Sequence, residues 1–350
     1  LEGLGLHLPV ALTAAYGTTP GVTTYFNLPG LVVVLLITWN LSMGINQTKR
    51  TNDIMVLIKL AIIVLFIACT VWYVNPANWK PFSPYGIYTF RPGSTQPMGI
   101  VPAASIVFFS FIGFDAVSSS AEETINPSRT LPRGILLSLA ISTVLYVIMT
   151  FIMTGIVRYP KFAHFVDAPV AGVILATGMN WLAFIVNLGA LIGMSTVMLV
   201  QLYGQSRICY AMSRDGLFPR FFGDVHPRYR TPFKGTWFFG LLTAIAGGFI
   251  NINILFELVN IGTLSAFIIV SAGILWMRRT QPQTHRGFRA PGVPFTPLVA
   301  IVFCLVLIAG LNWETWLRFA VWFLIGLGVY FGYSRRRSKL NATDGTAESL

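Results

Sequence analysis

Apolar runs of membrane-spanning length alternate with short polar loops along this chain. Nine runs stand out, at about 28–45, 54–74, 100–120, 134–157, 180–211, 236–251, 254–276, 294–311 and 315–333. A helix needs about 20 apolar residues to cross the hydrocarbon layer, so the pattern predicts an all-α polytopic membrane protein with nine transmembrane helices. Residues 1–27 carry Gly, Pro and Thr turn signals and two modest apolar patches, which read as an extracytoplasmic loop with a short surface helix. Residues 28–333 are then the transmembrane bundle. Residues 334–350, SRRRSKLNATDGTAESL, form a basic and then polar tail without the apolar content to pack.

The third run departs from the pattern. It enters FFSFIGFDAVSSSAEETINPSRTLPRG (108–134), where Gly113 and Asp115 interrupt apolar sequence and serines and two glutamates follow. Lipid does not tolerate open backbone or a bare carboxylate unless protein or a water-filled cavity surrounds them. The spacing therefore predicts a discontinuous helix near Gly113 that lines a cavity, and a cavity halfway through a bilayer points to a transport pathway. Half-helix ends at a break present N–H and C=O groups with partial charges, a match for the carboxylate and ammonium of an amino acid. Phe109, Ile112 and Phe114 would pack against such a ligand, and Asp115 would serve as a cation partner or a gate. The alternative is a glycine kink that packs helices, with Asp115 bonded to a serine.

Charge sharpens the picture. Only 10% of residues are charged, against about a quarter in a soluble domain. The net charge of +12 could signal a nucleic-acid partner, but the basic residues sit mostly in loops, as in oriented membrane proteins. Lys49, Arg50, Arg129, Arg133 and the basic residues of 207–234, 278–289 and 335–339 fall on one side, whereas Lys80, Arg91, Arg158 and Lys161 fall on the other. The first side is read as cytoplasmic, which places the C-terminus inside and predicts no nucleic-acid binding. Trp72, Tyr73, Trp181, Trp276, Trp313 and Trp316 near run ends read as an interfacial belt. The chain begins with Leu and has no basic segment and cleavage site before its first apolar run, so it reads as the downstream part of a longer protein rather than as a signal peptide.

Two further features carry candidate chemistry. Lys59 lies inside the second run, in DIMVLIKLAIIVLFI. It could snorkel to the surface near Asp53, about 9 Å away along a helix, or a buried amine could bind and release a proton during transport. In the fifth run, Gly189, Gly193, Ser195 and Thr196 form a small, polar face that suits close helix packing and could bring hydroxyls toward Lys59. Glu122 and Glu123 could pair with Arg129 or Arg133, and Glu257 reads as interfacial. Cys69, Cys209 and Cys304 form no CxxC or Cys/His cluster, so no disulfide framework, metal site or other cofactor is predicted. No phosphate-binding loop and no nucleophile–base spacing occurs, so the chain is not expected to be an enzyme.

Several segments together resemble the amino acid–polyamine–organocation superfamily. FFSFIGFDAVSSSAEETINPSRTLPRGI is similar to its sixth helix and following loop, YGQSRICYAMSRDGLFP to its eighth helix and loop, and LVNIGTLSAF to its tenth. FRAPGVPFTPL and TWLRFAVWFLIGLGVYFGYSRRRS resemble the end of the cationic amino acid transporter branch, bacterial type. The resemblance implies a partial LeuT-like fold of inverted five-helix repeats, with the nine runs matching the family's fourth to twelfth helices and the first three lacking. It implies a secondary amino acid transporter of the plasma membrane, with an amino acid substrate, protons and the lipid bilayer as partners; an exchanger or a membrane-embedded sensor would share the fold. By position, Phe109, Ile112, Gly113 and Asp115 match the substrate site, and Lys59, Ser195 and Thr196 match a proton-coupling site. Met194 or Val197 is the candidate to limit side-chain size.

Overall fold

The computed structural model describes residues 9–15, 24–43, 45–89, 98–114, 116–118, 124–164, 168–229, 231–284 and 286–338. Its helices are α1 Leu28–Ser42, α2 Ile45–Thr70, α3 Ile100–Val107, α4 Pro127–Ile156, α5 Pro169–Leu175, α6 Asn180–Arg214, α7 Phe233–Phe249, α8 Ile252–Thr280, α9 Phe295–Ala309, α10 Trp313–Val329 and a short α11 Arg335–Arg337. A helix lies under each predicted run. Among the described residues, six segments are long and apolar enough to cross a membrane: Arg50–Tyr73, Ile100–Ser118, Pro127–Ile156, Asn180–Arg214, Ile254–Thr280 and Trp313–Ser334. Leu28–Ser42 and Phe295–Ala309 are shorter apolar helices. The molecule is an all-helical polytopic membrane protein. Within the predicted N-terminal loop, the described surface helix is a single 3-10 turn, Val10–Leu12.

Local chemistry sets several helix starts. Pro29 opens α1, and the Asn27 side chain accepts from Gly30 N at 2.8 Å, satisfying a donor that the first turn leaves unpaired. Pro127 opens α4 in the position where a missing N–H costs nothing. α3 follows Gly99, whose φ of +119° and approach to Ile87 O leave no room for a side chain: a Cβ there would lie 2.8 Å from that oxygen.

Two buried clusters hold the helices together. Phe66, Ile152, Ile174, Leu182 and Val186 join α2, α4, α5 and α6, and Ile261, Leu264, Cys304 and Ile308 join α8 to α9, with Phe108 and Phe267 packed on them. Small residues allow the close crossings, as expected where packing rather than water drives association. Gly189 of α6 meets Ile62 of α2, where a Cβ would lie 2.6 Å from the Ile62 side chain. Outer faces carry large apolar side chains such as Leu57 and Leu324, both well exposed, as lipid contact requires.

α8 and α10 are also tied by a polar clamp. Glu257 accepts from Thr315 Oγ1 and from Asn312 Nδ2 at 3.1 Å, and Arg318 Nη1 lies 3.7 Å away. Arg318 also holds Glu314 at 2.8 Å. The predicted interfacial Glu257 is therefore a structural crosslink between helices.

Candidate functional site: a broken helix beside a buried lysine

α3 does not continue through the third apolar run. After Val107 it tightens into a 3-10 turn, Phe108–Phe111. Ile112 is then extended, with ψ 133°, and Gly113 takes φ +123°, which an L side chain rarely adopts. The chain resumes with Ala116 N bonding Gly113 O at 3.1 Å. The glycine is what permits this path, because no Cβ has to be accommodated at positive φ.

Side chains from α8 and α4 and a backbone carbonyl of α9 fasten the break. Asn260 of α8 donates from Nδ2 to Ser105 O at 3.1 Å, and Ser105 Oγ donates to Leu307 O of α9 at 2.8 Å. Tyr146 of α4 donates from Oη to Ser110 O at 2.8 Å, and its ring meets Phe111 edge-on with centroids 5.2 Å apart. Passing from α to 3-10 geometry changes which amide reaches which carbonyl. Side-chain donors at Ser105 O and Ser110 O supply partners there, which matters where water is scarce. Phe109 packs on Phe256 at 4.3 Å and Phe114 on Phe267 at 5.4 Å. Phe109 remains 37% exposed, so it presents part of its ring outside the packed core.

α6 lies between this break and α2. A Cβ on Gly113 would stand 4.0 Å from Gln201 Nε2, so the α6 amide faces the opened turn. Five residues earlier on α6, Thr196 meets Lys59: Lys59 Nζ lies 3.5 Å from Thr196 Oγ1, at the long limit of a hydrogen bond. Thr196 is 2% exposed and donates its own proton to Gly193 O at 2.7 Å, leaving its lone pairs to accept from the amine. The lysine stem runs beside Gly193, where a Cβ would stand in ordinary contact with Lys59 Cδ at 3.8 Å. Five residues of α-helix give about 7.5 Å of rise and about 140° of rotation. One rigid element thus carries a polar group toward each neighbour.

The sequence-predicted residues divide accordingly. Phe109, Ile112 and Gly113 lie together at the break, and Lys59 and Thr196 lie together across α2 and α6. Ser195 is not joined to them: its Oγ donates back to Leu191 O at 2.9 Å, with no hydrogen bond to Lys59 among the described residues. Met194 and Val197 are both more than half exposed. Asp115, Glu122 and Glu123 lie outside the described residues. Sequence reasoning did not single out Gln201, Tyr146 or Asn260. Each is a polar residue within an apolar run, and that alone marks it as a candidate.

A helix of membrane-spanning length broken at glycine, fastened by side chains from neighbouring helices, is the kind of element that lines a transport pathway. Comparison with known proteins agrees. The model of the amino acid permease family matches residues 10–332. The branched-chain amino acid permease of Bacillus subtilis is 52% identical over 341 residues, covering 97% of this chain and 71% of that protein. The methylthioribose transporter of the same organism is 43% identical over 341 residues, with the same coverage. The chloroplastic cationic amino acid transporter 9 of Arabidopsis thaliana is 28% identical over 374 residues, covering 88% of this chain and 64% of that protein. The chain belongs to the amino acid permease family, within the amino acid–polyamine–organocation superfamily, and is an amino acid transporter.

Proposed function

We propose that this permease takes up a neutral, branched-chain amino acid across the plasma membrane by proton-coupled symport. The observation that carries the reading is the break at Gly113, with α6 linking it to Lys59 through Gln201 and Thr196. The amino acid's charged groups would bond the backbone of the opened turn, Asp115 would serve as a cation partner or a gate, and the substrate side chain would lie against Phe109, Ile112 and Phe114. The apolar character of these residues and the name of the 52% identical relative both favour a branched aliphatic substrate. Lys59 would take up and release a proton as the helices exchange between outward- and inward-facing arrangements, with Thr196 as its partner in one of them. Ser195 would serve the same site only in a different arrangement. In this reading the bundle has nine spans in a LeuT-like arrangement and the basic C-terminal end is cytoplasmic.

The test is uptake of radiolabelled leucine by the protein in liposomes under an imposed pH gradient. Uptake should follow the gradient in the wild type and lose that dependence in Lys59→Ala. Uptake indifferent to the gradient removes the proton from the mechanism. Flux only against internal amino acid identifies an exchanger, and leucine binding without flux identifies a sensor. Unlabelled methylthioribose and arginine as competitors test the substrate class.

A further inference from the structure

A polar cavity lies far from the break in sequence and in character. Its volume is about 790 Å³, and it sits where the end of α6, the loop after it and the end of α10 meet. Tyr210, Ser213 and Arg214 come from α6, Arg220 from the loop, and Tyr333 and Arg337 from the chain's last described turns. The walls are tied together. Ser334, 5% exposed, donates from Oγ to Leu217 O at 2.7 Å, and Ser213 Oγ donates to Pro219 O at 2.8 Å.

The lining is cationic. Arg214, Arg220 and Arg337 all contribute. One carboxylate, Asp224, also lines the cavity and is held by Lys234 Nζ at 2.8 Å; outside the lining, Asp215 lies 4.0 Å from Arg214 Nε with both side chains about half exposed, a pair of little strength. Arg214 also stands in the last turn of α6, where a cation offsets the carbonyl end of the helix. Arg220 and Arg337 lie beyond that turn. Arg337 is oriented by Tyr333, donating to its Oη at 3.2 Å with the guanidinium 4.6 Å from the ring centroid.

Depth points to the ligand. Arg214 ends one membrane-spanning segment and Arg337 follows another, which ends at Ser334. The cavity therefore opens at the level of lipid headgroups, flanked by tyrosines that favour that level. Guanidinium forks match phosphate oxygens, and basic pockets between spanning helices take anionic headgroups. We propose that this cavity binds the phosphodiester headgroup of an anionic phospholipid. The proposal rests on α6 and α10 spanning the membrane and not on the coupling mechanism.

The test is thermal-shift titration of the purified protein in neutral detergent with dioctanoyl phosphatidylglycerol, dioctanoyl phosphatidylcholine and inorganic phosphate. Three guanidiniums at the headgroup level predict apparent binding about a hundredfold tighter for phosphatidylglycerol than for phosphatidylcholine. In Arg220→Gln/Arg337→Gln the preference should fall below about tenfold, while leucine still shifts the melting temperature. Should the double variant not fold, the wild-type preference must still weaken steeply with added salt. Equal response to the two lipids, a preference that ignores salt, or a preference retained by the folded double variant overturns the site. Inorganic phosphate matching phosphatidylglycerol at equal concentration would keep the anion site and overturn the lipid as its source.

Discussion

Replacing Gly113 with alanine isolates the energetic cost of the break. Among the described residues a Cβ at this position would meet nothing closer than Gln201 Nε2 at 4.0 Å, so no steric clash with them follows. The cost is conformational: φ of +123° lies where L side chains rarely go, and holding a non-glycine residue in such a region costs about 1–3 kcal/mol. Taking about 2 kcal/mol, the broken conformation loses a factor of about thirty in population against a straightened segment. Where that conformation is the one that binds substrate, apparent affinity falls by up to about that factor, the limit reached when the straightened form predominates in the variant and in the wild type. Gly134→Ala is the control. Gly134 lies within α4, where an added methyl group would have no neighbour within 4 Å among the described residues, and alanine there should stabilise by about 0.5–1 kcal/mol. The assay is leucine binding by titration calorimetry and thermal melting of both variants. Undiminished leucine affinity in Gly113→Ala refutes the argument that binding depends on the break.

Tyr146→Phe keeps the ring against Phe111 but leaves Ser110 O without its donor; the expected cost is about 1 kcal/mol, read as a lower melting temperature together with a changed KM for uptake. Gln201→Leu removes the amide facing Gly113 while keeping approximate volume, and should raise the KM for leucine several-fold with little change in melting temperature. Glu257→Ala strips Asn312 and Thr315 of their acceptor and Arg318 of one of its two carboxylates. The α8–α10 clamp should weaken by about 1–3 kcal/mol, seen in thermal melting, while Glu257→Gln recovers part of the loss.

The local features were legible in the sequence because their causes are local. An apolar run of sufficient length must be helical in lipid, so the positions of the long helices followed from composition, whereas the short α5 lies outside every predicted run. A glycine among aromatics, followed by polar residues, marked the interruption; in the structure α3 ends at Val107 and the helical path is lost at Ile112 and Gly113. Lys59 stood out as a cation inside an apolar run, and Thr196 as a hydroxyl on a small-residue face, though nothing local could separate Thr196 from its neighbour Ser195.

What joins these pieces was decided by tertiary structure. Tyr146 reaches Ser110 across 36 positions and Asn260 reaches Ser105 across 155. In a soluble protein the apolar face of a helix reveals which side is inward. In a bilayer the lipid is as apolar as the core, so a leucine facing lipid and one facing a neighbouring helix look alike in sequence. Helix existence and the site of the break follow from transfer energies written along the chain. Which helix faces the break, and which hydroxyl meets the lysine, follow from packing shape and hydrogen-bond satisfaction, quantities that exist only once the helices are assembled.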